Sequence, residues 1–137
     1  MERFPDKQKA IDLALWQNHN HRFNDTYGVA HSTQGDYVVT PITQPLSIHS
    51  EFVKLPKDFS KLNLKHLQKV YMDENPLHFW EEIRGMFSGV HGETLRFILS
   101  AKIPLKTILR YELATRGYDE NFNYIGYEKA LALWCDK

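Results

Sequence analysis

From residue 63 onward the chain repeats one pattern, in which apolar residues at helical spacing are interrupted by proline or glycine. The clearest example lies between Pro76 and Gly89. One stripe of that segment is made of four apolar side chains three or four residues apart: Leu77, Trp80, Ile83 and Phe87. Pro104 and Gly117 bound another such segment, because proline often begins a helix and glycine often ends one. The pattern predicts several short helices over this part of the chain.

The segments before residue 43 show two different periods. Residues 7–20 follow Asp6, which can cap a helix, and are broadly apolar until they reach the polar residues 17–20. Residues 27–31 and 37–42 contain β-branched and aromatic side chains and flank a turn with a glycine, which predicts two paired strands. The fold class is therefore predicted to be α+β and α-dominated, with about five to six helices and one small β-hairpin near residues 27–42.

Length and charge limit the class of protein. A chain of 137 residues with 17 basic and 17 acidic side chains is sized for a single globular domain over residues 1–137, which needs no metal or disulfide to form a core. The lone cysteine, Cys135, excludes an intrachain disulfide framework. Neither a secretory signal nor a membrane-length apolar run is evident. We expect a soluble, cytoplasmic protein without a membrane partner.

Histidines concentrate around the predicted hairpin. Six potential ligands occur there: His19, His21, Asp25, His31, Asp36 and His49. A metal site or an acid/base site across the hairpin is one interpretation, with His19, His21 and His31 as its ligands. The spacing matches no established metal motif, so solvated loop histidines are the favoured interpretation.

An acidic and amide-rich turn precedes the last predicted helix. Asp119, Asn121 and Asn123 have the alternating spacing of the first three oxygen ligands in a calcium-binding loop. The sixth position is Tyr124 where such loops need glycine, and the twelfth is Ala130 where they carry glutamate. An ordinary turn stabilised by the aspartate and asparagine side chains is favoured, and calcium binding is the alternative.

A basic segment runs from Lys54 to Lys69. It contains five lysines and one aspartate, Asp58: the lysines are Lys54, Lys57, Lys61, Lys65 and Lys69. On a continuous helix the lysines would align and could contact phosphates, but Pro56 argues against a helix in the first part. A solvated charged surface is favoured, and nucleic-acid binding through Lys57, Lys61, Lys65 and Lys69 is the alternative.

The predicted helices at residues 93–116 have the length of a helix-turn-helix unit. Lys106 and Arg110 would then face the nucleic acid, but Leu105 and Leu109 beside them cannot hydrogen-bond base edges. The turn position where glycine is usual holds Lys102. An ordinary helical hairpin packed in the core is favoured.

Aromatic content gives the only positive indication of function. Three Trp, seven Tyr and eight Phe exceed what a core of this size must bury, and large aromatics are favoured anchors of protein interfaces. That all of them pack inside is an equally open possibility. No glycine-rich phosphate loop or serine-nucleophile motif is present. We therefore expect a non-enzymatic binding or regulatory protein that acts through protein contacts and needs no cofactor.

Two alternatives from other classes stay open at this stage. One is a nucleic-acid-binding module that uses the Lys54–Lys69 segment or the hairpin at 93–116. The other is an enzyme or metal-binding protein that uses the His19–His49 region.

Overall fold

A computed structural model describes residues 2–20, 26–43 and 51–135 of the chain. It divides the chain into two compact units, with the boundary between Ser88 and Gly89. Within the described residues there are six helices and one three-stranded antiparallel sheet, which confirms the α-dominated α+β class. The expectation of one domain over residues 1–137 stays a prediction. The elements are β1 (Glu2–Phe4), α1 (Lys7–Asn20), β2 (Tyr27–His31), β3 (Tyr37–Pro41), α2 (Leu64–Met72), α3 (His78–Ser88), α4 (Gly92–Ser100), α5 (Leu105–Arg116) and α6 (Tyr127–Cys135).

The sheet of the first unit has the order β1-β3-β2. The predicted hairpin is confirmed, with Val29 of β2 opposite Val39 of β3. Strand β1 was not predicted from the sequence. Pro41 ends β3, which is the central strand. Proline is tolerated at this position because β1 pairs only with residues 37–39, so β3 has a single neighbouring strand at Pro41.

Helix α1 packs on the sheet and forms most of the first core. Asp6 caps the helix as predicted, since its Oδ1 accepts from the Gln8 backbone N–H at 3.0 Å. The core of this region is a cluster of small and branched side chains: Ala10, Ile11, Leu13, Ala14, Val29 and Val39. Gly28 allows Phe52 to approach β2, because a Cβ at residue 28 would lie 2.7 Å from the Phe52 ring.

Helices α2 and α3 form a second core in the same unit. Val70, Phe79 and Trp80 are buried there. Asn63 caps α2 as predicted, because its Oδ1 accepts from the His66 backbone N–H at 2.8 Å. The start predicted for α3 at Pro76 is wrong by two residues. The helix begins at His78, and the Asn75 backbone N–H before it donates to the Asp73 carboxylate at 2.9 Å.

The second unit contains α4, α5 and α6. Helices α5 and α6 pack together through two small buried residues, Ala114 and Ala130. Gly117 ends α5 with a φ of 74°, in the left-handed conformation that favours glycine. The Trp134 Nε1–H donates to the Tyr118 carbonyl at 2.9 Å and ties α6 to the turn that precedes it. The predicted bounds of α5 are confirmed at both ends.

Candidate functional sites

The predicted histidine site is only partly within the described residues. His19 is exposed in the last turn of α1, and His31 is exposed at the end of β2, where its ring stacks on Tyr37 with 4.7 Å between centroids. His21 and His49 lie outside the described residues, as does Asp25. No group of three or more His, Cys, Asp or Glu side chains among the described residues is placed to hold a metal. Metal binding that involves His21 stays a prediction.

Asp36 of the same region has partners of its own. Its carboxylate accepts hydrogen bonds from the Ser32 hydroxyl and from Arg3, the latter at 3.4 Å. The Ser32 bond, supported by the positive charge of Arg3, lowers the pKa of Asp36 from its usual value. These contacts join the β2–β3 turn to β1.

The lysine segment does not form one stripe. Lys65 and Lys69 lie on α2, whereas Lys54, Lys57 and Lys61 precede the helix. All five are exposed. The Ser60 hydroxyl, together with the backbone N–H of Ser60 and the neighbouring lysines, lowers the pKa of Asp58 and keeps a negative charge among them. The five exposed lysines, which are not aligned on one helix, are typical of a solvated charged surface. Phosphate binding by this segment stays a prediction.

Asp119 organises the turn that was compared with a calcium loop. Its Oδ1 accepts from the backbone N–H groups of Asn121 and Asn123, each at 2.8 Å. An aspartate that accepts from the N–H two residues later is the arrangement of an Asx turn. Phe122 in this turn has a φ of 61° and an exposed ring. Calcium binding through Asp119, Asn121 and Asn123 stays a prediction.

Helices α4 and α5 are joined by a compact turn centred on Lys102. The Ile103 N–H donates to the Ile98 carbonyl at 3.0 Å, and the Lys102 N–H to the Leu99 carbonyl at 3.4 Å. Together these two bonds make a Schellman motif, whose key residue adopts the left-handed conformation. Lys102 has a φ of 56°. A lysine therefore occupies a position where glycine has the lower conformational energy.

The expectation that this helical hairpin packs in the core is wrong. Among the described residues of α4 none is buried, and in α5 only Ala114 is. Three apolar side chains of α5 lie on the side of the helix opposite Ala114 and are exposed: Leu105, Ile108 and Leu109. Leu99 of α4 is 80% exposed. We name this surface, made of Leu99, Leu105, Ile108 and Leu109, the α4–α5 apolar surface.

The aromatic side chains are also divided between core and surface. Phe79 and Trp80 are buried, but eight aromatic side chains of the described residues are exposed. Six of the eight belong to the second unit: Phe97, Tyr111, Tyr118, Phe122, Tyr124 and Tyr127. The possibility that all aromatics pack inside is therefore wrong.

The two charged residues assigned to the hairpin differ in their position around α5. Lys106 is exposed and lies about 60° around the helix axis from Leu109, at the margin of the apolar stripe. Arg110 is partly exposed and lies about 40° from the buried Ala114, on the other side of the helix.

A buried polar centre of the first unit was missed by the sequence analysis. The Asp12 carboxylate, only 3% exposed, accepts from the His66 ring at 2.9 Å and from the Trp80 indole N–H at 3.0 Å. The Gln8 amide donates to its other oxygen at 3.1 Å. The sequence contains one signal of this centre, which is Asp12 inside the apolar run at residues 10–16. A buried helix contains an aspartate only when other groups hydrogen-bond to its carboxylate.

This centre links three helices. Asp12 lies on α1, His66 on α2 and Trp80 on α3, so one carboxylate joins elements that are distant in sequence. His66 also lines a cleft of about 220 Å³ together with Asp58 and Lys61. A histidine oriented by a buried carboxylate is a component of many acid/base sites, but the described lining residues supply no serine, threonine or cysteine nucleophile for it to activate. We interpret the hydrogen bonds of Asp12 to His66 and Trp80 as a structural link between α1, α2 and α3.

Comparison with protein-family models, curated proteins and solved structures found no match to this chain. None of the helices among residues 2–20, 26–43 and 51–135 is both long enough and apolar enough to cross a membrane.

Proposed function

We propose that this protein is a small binding or regulatory protein that acts through protein contacts, and that its binding site is the α4–α5 apolar surface. The observation that carries the proposal is the orientation of α5, which directs Leu105, Ile108 and Leu109 away from its buried residue Ala114. An amphipathic helix normally directs its apolar stripe toward a core.

The physical basis is the hydrophobic effect. Removing a leucine side chain from water is worth about 1.5–3 kcal/mol when burial is complete. Leu105, Ile108 and Leu109 lie within about 100° of one another around the axis of α5. An exposed apolar patch of this kind often marks a surface at which a partner binds.

A nucleic-acid-binding module is the second candidate. It is supported by Lys102 and Lys106, which are exposed beside the apolar side chains. It ranks lower because leucines contribute nothing to hydrogen bonding with base edges or phosphates. Catalysis at His66 ranks lower still, since the described lining of its cleft offers no serine, threonine or cysteine for the imidazole to activate. We further propose a cytoplasmic location, which fits a single unpaired cysteine.

Affinity capture from a lysate of the native cell tests the proposal. The full chain is compared with a variant that carries Leu99→Ser, Ile108→Ser and Leu109→Ser, each capture being made with and without nuclease. We expect specific proteins to be retained by the wild type, lost with the triple variant and unaffected by nuclease.

A matched control removes apolar side chains of similar exposure from the first unit, with Leu64→Ser and Met72→Ser. These changes should leave the captured proteins unchanged. Capture that is lost on nuclease treatment would favour the nucleic-acid candidate instead. Capture that survives the triple variant would contradict the proposal.

A further inference from the structure

The α4–α5 apolar surface lies within a segment of one charge sign. Residues 94–111 contain four basic side chains and no acidic one. The basic residues are Arg96, Lys102, Lys106 and Arg110. The first three are exposed, and Arg110 is partly exposed. The chain as a whole has a formal net charge of zero, so this concentration of positive charge is local.

Acidic side chains at the two ends of the segment do not cancel this charge. Glu112 follows the segment and pairs with Arg116 at 3.6 Å, one helical turn further on. Glu93 precedes it and lies in the first turn of α4, where a negative charge interacts with the helix dipole. The positive charges of Lys102 and Lys106 are thus available to a partner.

The backbone holds one of these charges in place. Lys102 is fixed at the turn between the helices by the two hydrogen bonds of the Schellman motif, in a left-handed conformation that a side chain makes less favourable. Lys106 follows one helical turn later, in the same first turn of α5 as Leu105. Leu105, Ile108 and Leu109 occupy spacings of three and four, which match the anchor spacing of a facing helix.

We propose that the partner of this surface is an acidic amphipathic helix, with leucine-type residues on one face and glutamate or aspartate along its margins. This inference rests on the proposed function and specifies the chemistry of the partner. The apolar stripe of such a helix would cover Leu105, Ile108 and Leu109, and its carboxylates would meet Lys102 and Lys106. Charge complementarity of this kind selects among partners and sets the orientation of binding.

Synthetic peptides test the proposal directly with the full-length chain. The first probe is a fluorescent 20-residue helical peptide with leucine at positions i, i+3, i+4 and i+7 and glutamate at the flanking positions. The second replaces every glutamate by glutamine. A 20-base-pair DNA duplex and vesicles that contain phosphatidylserine serve as anionic probes without a peptide helix. Binding is followed by fluorescence anisotropy, or by co-sedimentation for the vesicles, at several salt concentrations.

We expect the glutamate peptide to bind at least about tenfold more tightly than the glutamine peptide at low salt, with the difference decreasing as salt is raised. The variant Lys102→Gln, Lys106→Gln should reduce this preference about threefold or more. The matched control Lys57→Gln, Lys61→Gln removes two exposed lysines of the first unit and should not alter it. The serine triple variant should lose binding of both peptides.

The results that would overturn the acidic partner can be told apart from a result that would overturn protein binding at this surface. Equal binding of both peptides, abolished by the serine triple variant, would retain protein binding at this surface and overturn the acidic partner. Tight binding of the duplex or the vesicles without preference for the glutamate peptide would also overturn it. A failure of every probe to bind would reject the acidic helix, while the capture experiment decides independently whether the surface binds a protein.

Discussion

In the first unit Phe79 and Trp80 are 6% and 8% exposed, whereas in the second unit Leu99 and Leu109 are 80% and 54% exposed. The helices that carry these residues have similar apolar patterns in the sequence. In α3 the stripe is partly covered by side chains from other elements, including Phe59 and Leu62. In α4 and α5 the described residues place no comparable cover over the stripe. The proposed function assigns binding to the exposed apolar stripe of the second unit and not to the covered stripe of α3.

The polar side chains show the same contrast. Asp12 is buried, and its carboxylate receives three hydrogen bonds from Gln8, His66 and Trp80. Because each donor satisfies part of the buried charge, the three helices are held in one arrangement. Exposed lysines occur in both units, whereas a buried carboxylate occurs among the described residues of the first unit and not among those of the second. A buried charge thus contributes to the structure of the first unit.

The largest expected effect is that of Trp80→Ala. The indole packs against Phe59 and Phe79 and donates to Asp12. Truncating a buried tryptophan typically lowers the free energy of unfolding by about 3–5 kcal/mol. Urea unfolding, followed by circular dichroism, should show this loss or an unfolded variant. The exposed Phe97→Ala is the matched change in the second unit and should alter stability by less than about 0.5 kcal/mol. Equal effects of the two changes would remove the distinction between the units.

His66→Ala should have the next largest effect. It leaves the buried Asp12 carboxylate with one donor fewer, which typically lowers the free energy of unfolding by about 1–3 kcal/mol. His78 offers a matched control, because it pairs with Glu82 at 3.0 Å while both side chains are exposed. His78→Ala should change stability by less than about 0.5 kcal/mol in the same denaturation experiment. A His66→Ala variant as stable as wild type would mean that Asp12 does not depend on this link.

Lys102→Gly should stabilise the chain. Glycine adopts the left-handed conformation of residue 102 without the steric penalty of a side chain, and we expect a gain of about 0.5–1 kcal/mol. Lys102→Ala keeps the Cβ and should give no comparable gain. Thermal unfolding and amide exchange at α4 and α5 measure both variants. If alanine stabilises as much as glycine, the backbone at residue 102 is not left-handed in solution.

The smallest predicted effect is a pH dependence at Asp73. The hydrogen bond from Lys9, with that from the Asn75 N–H and the charge of Lys9, lowers the pKa of Asp73 below its usual 3.8. A lowered folded pKa means that Asp73 contributes stability above about pH 3.8 and loses it as the pH falls through the folded value. Asp73→Asn should therefore lower the Tm at neutral pH, and its difference from wild type should shrink in acid. A difference that is constant with pH would contradict this linkage.

The parts of the fold that could be predicted from the sequence are those with a local signal, such as a proline or glycine at a helix end. Pro104 and Gly117 gave the ends of α5, because proline and glycine restrict or permit backbone angles whatever surrounds them. Strand β1 was missed because three residues carry too little pattern to indicate pairing with β3. The exposure of Leu109 was also missed, because periodicity shows that a helix has an apolar face and not what covers it.

The candidate sites were less predictable than the fold for a related reason. Asp12 and His66 are 54 residues apart and meet only through the packing of α1 and α2. Lys106 and Arg110 were candidates because residues 93–116 have the length of a helix-turn-helix unit, whose second helix would carry both. A surface made of one helical hairpin leaves a local trace, whereas a centre assembled from three helices leaves only a single unusual aspartate.

Hydroxyl-radical footprinting of the free, full-length protein tests the contrast between the units most directly. Oxidation of each side chain, read by mass spectrometry over a range of protein concentrations, reports its exposure to water. We expect rapid oxidation of Phe97, Leu105 and Leu109, slow oxidation of Phe79 and Trp80, and no change on dilution. Protection of the α4–α5 apolar surface equal to that of Phe79 and Trp80, at every concentration, would contradict this expectation.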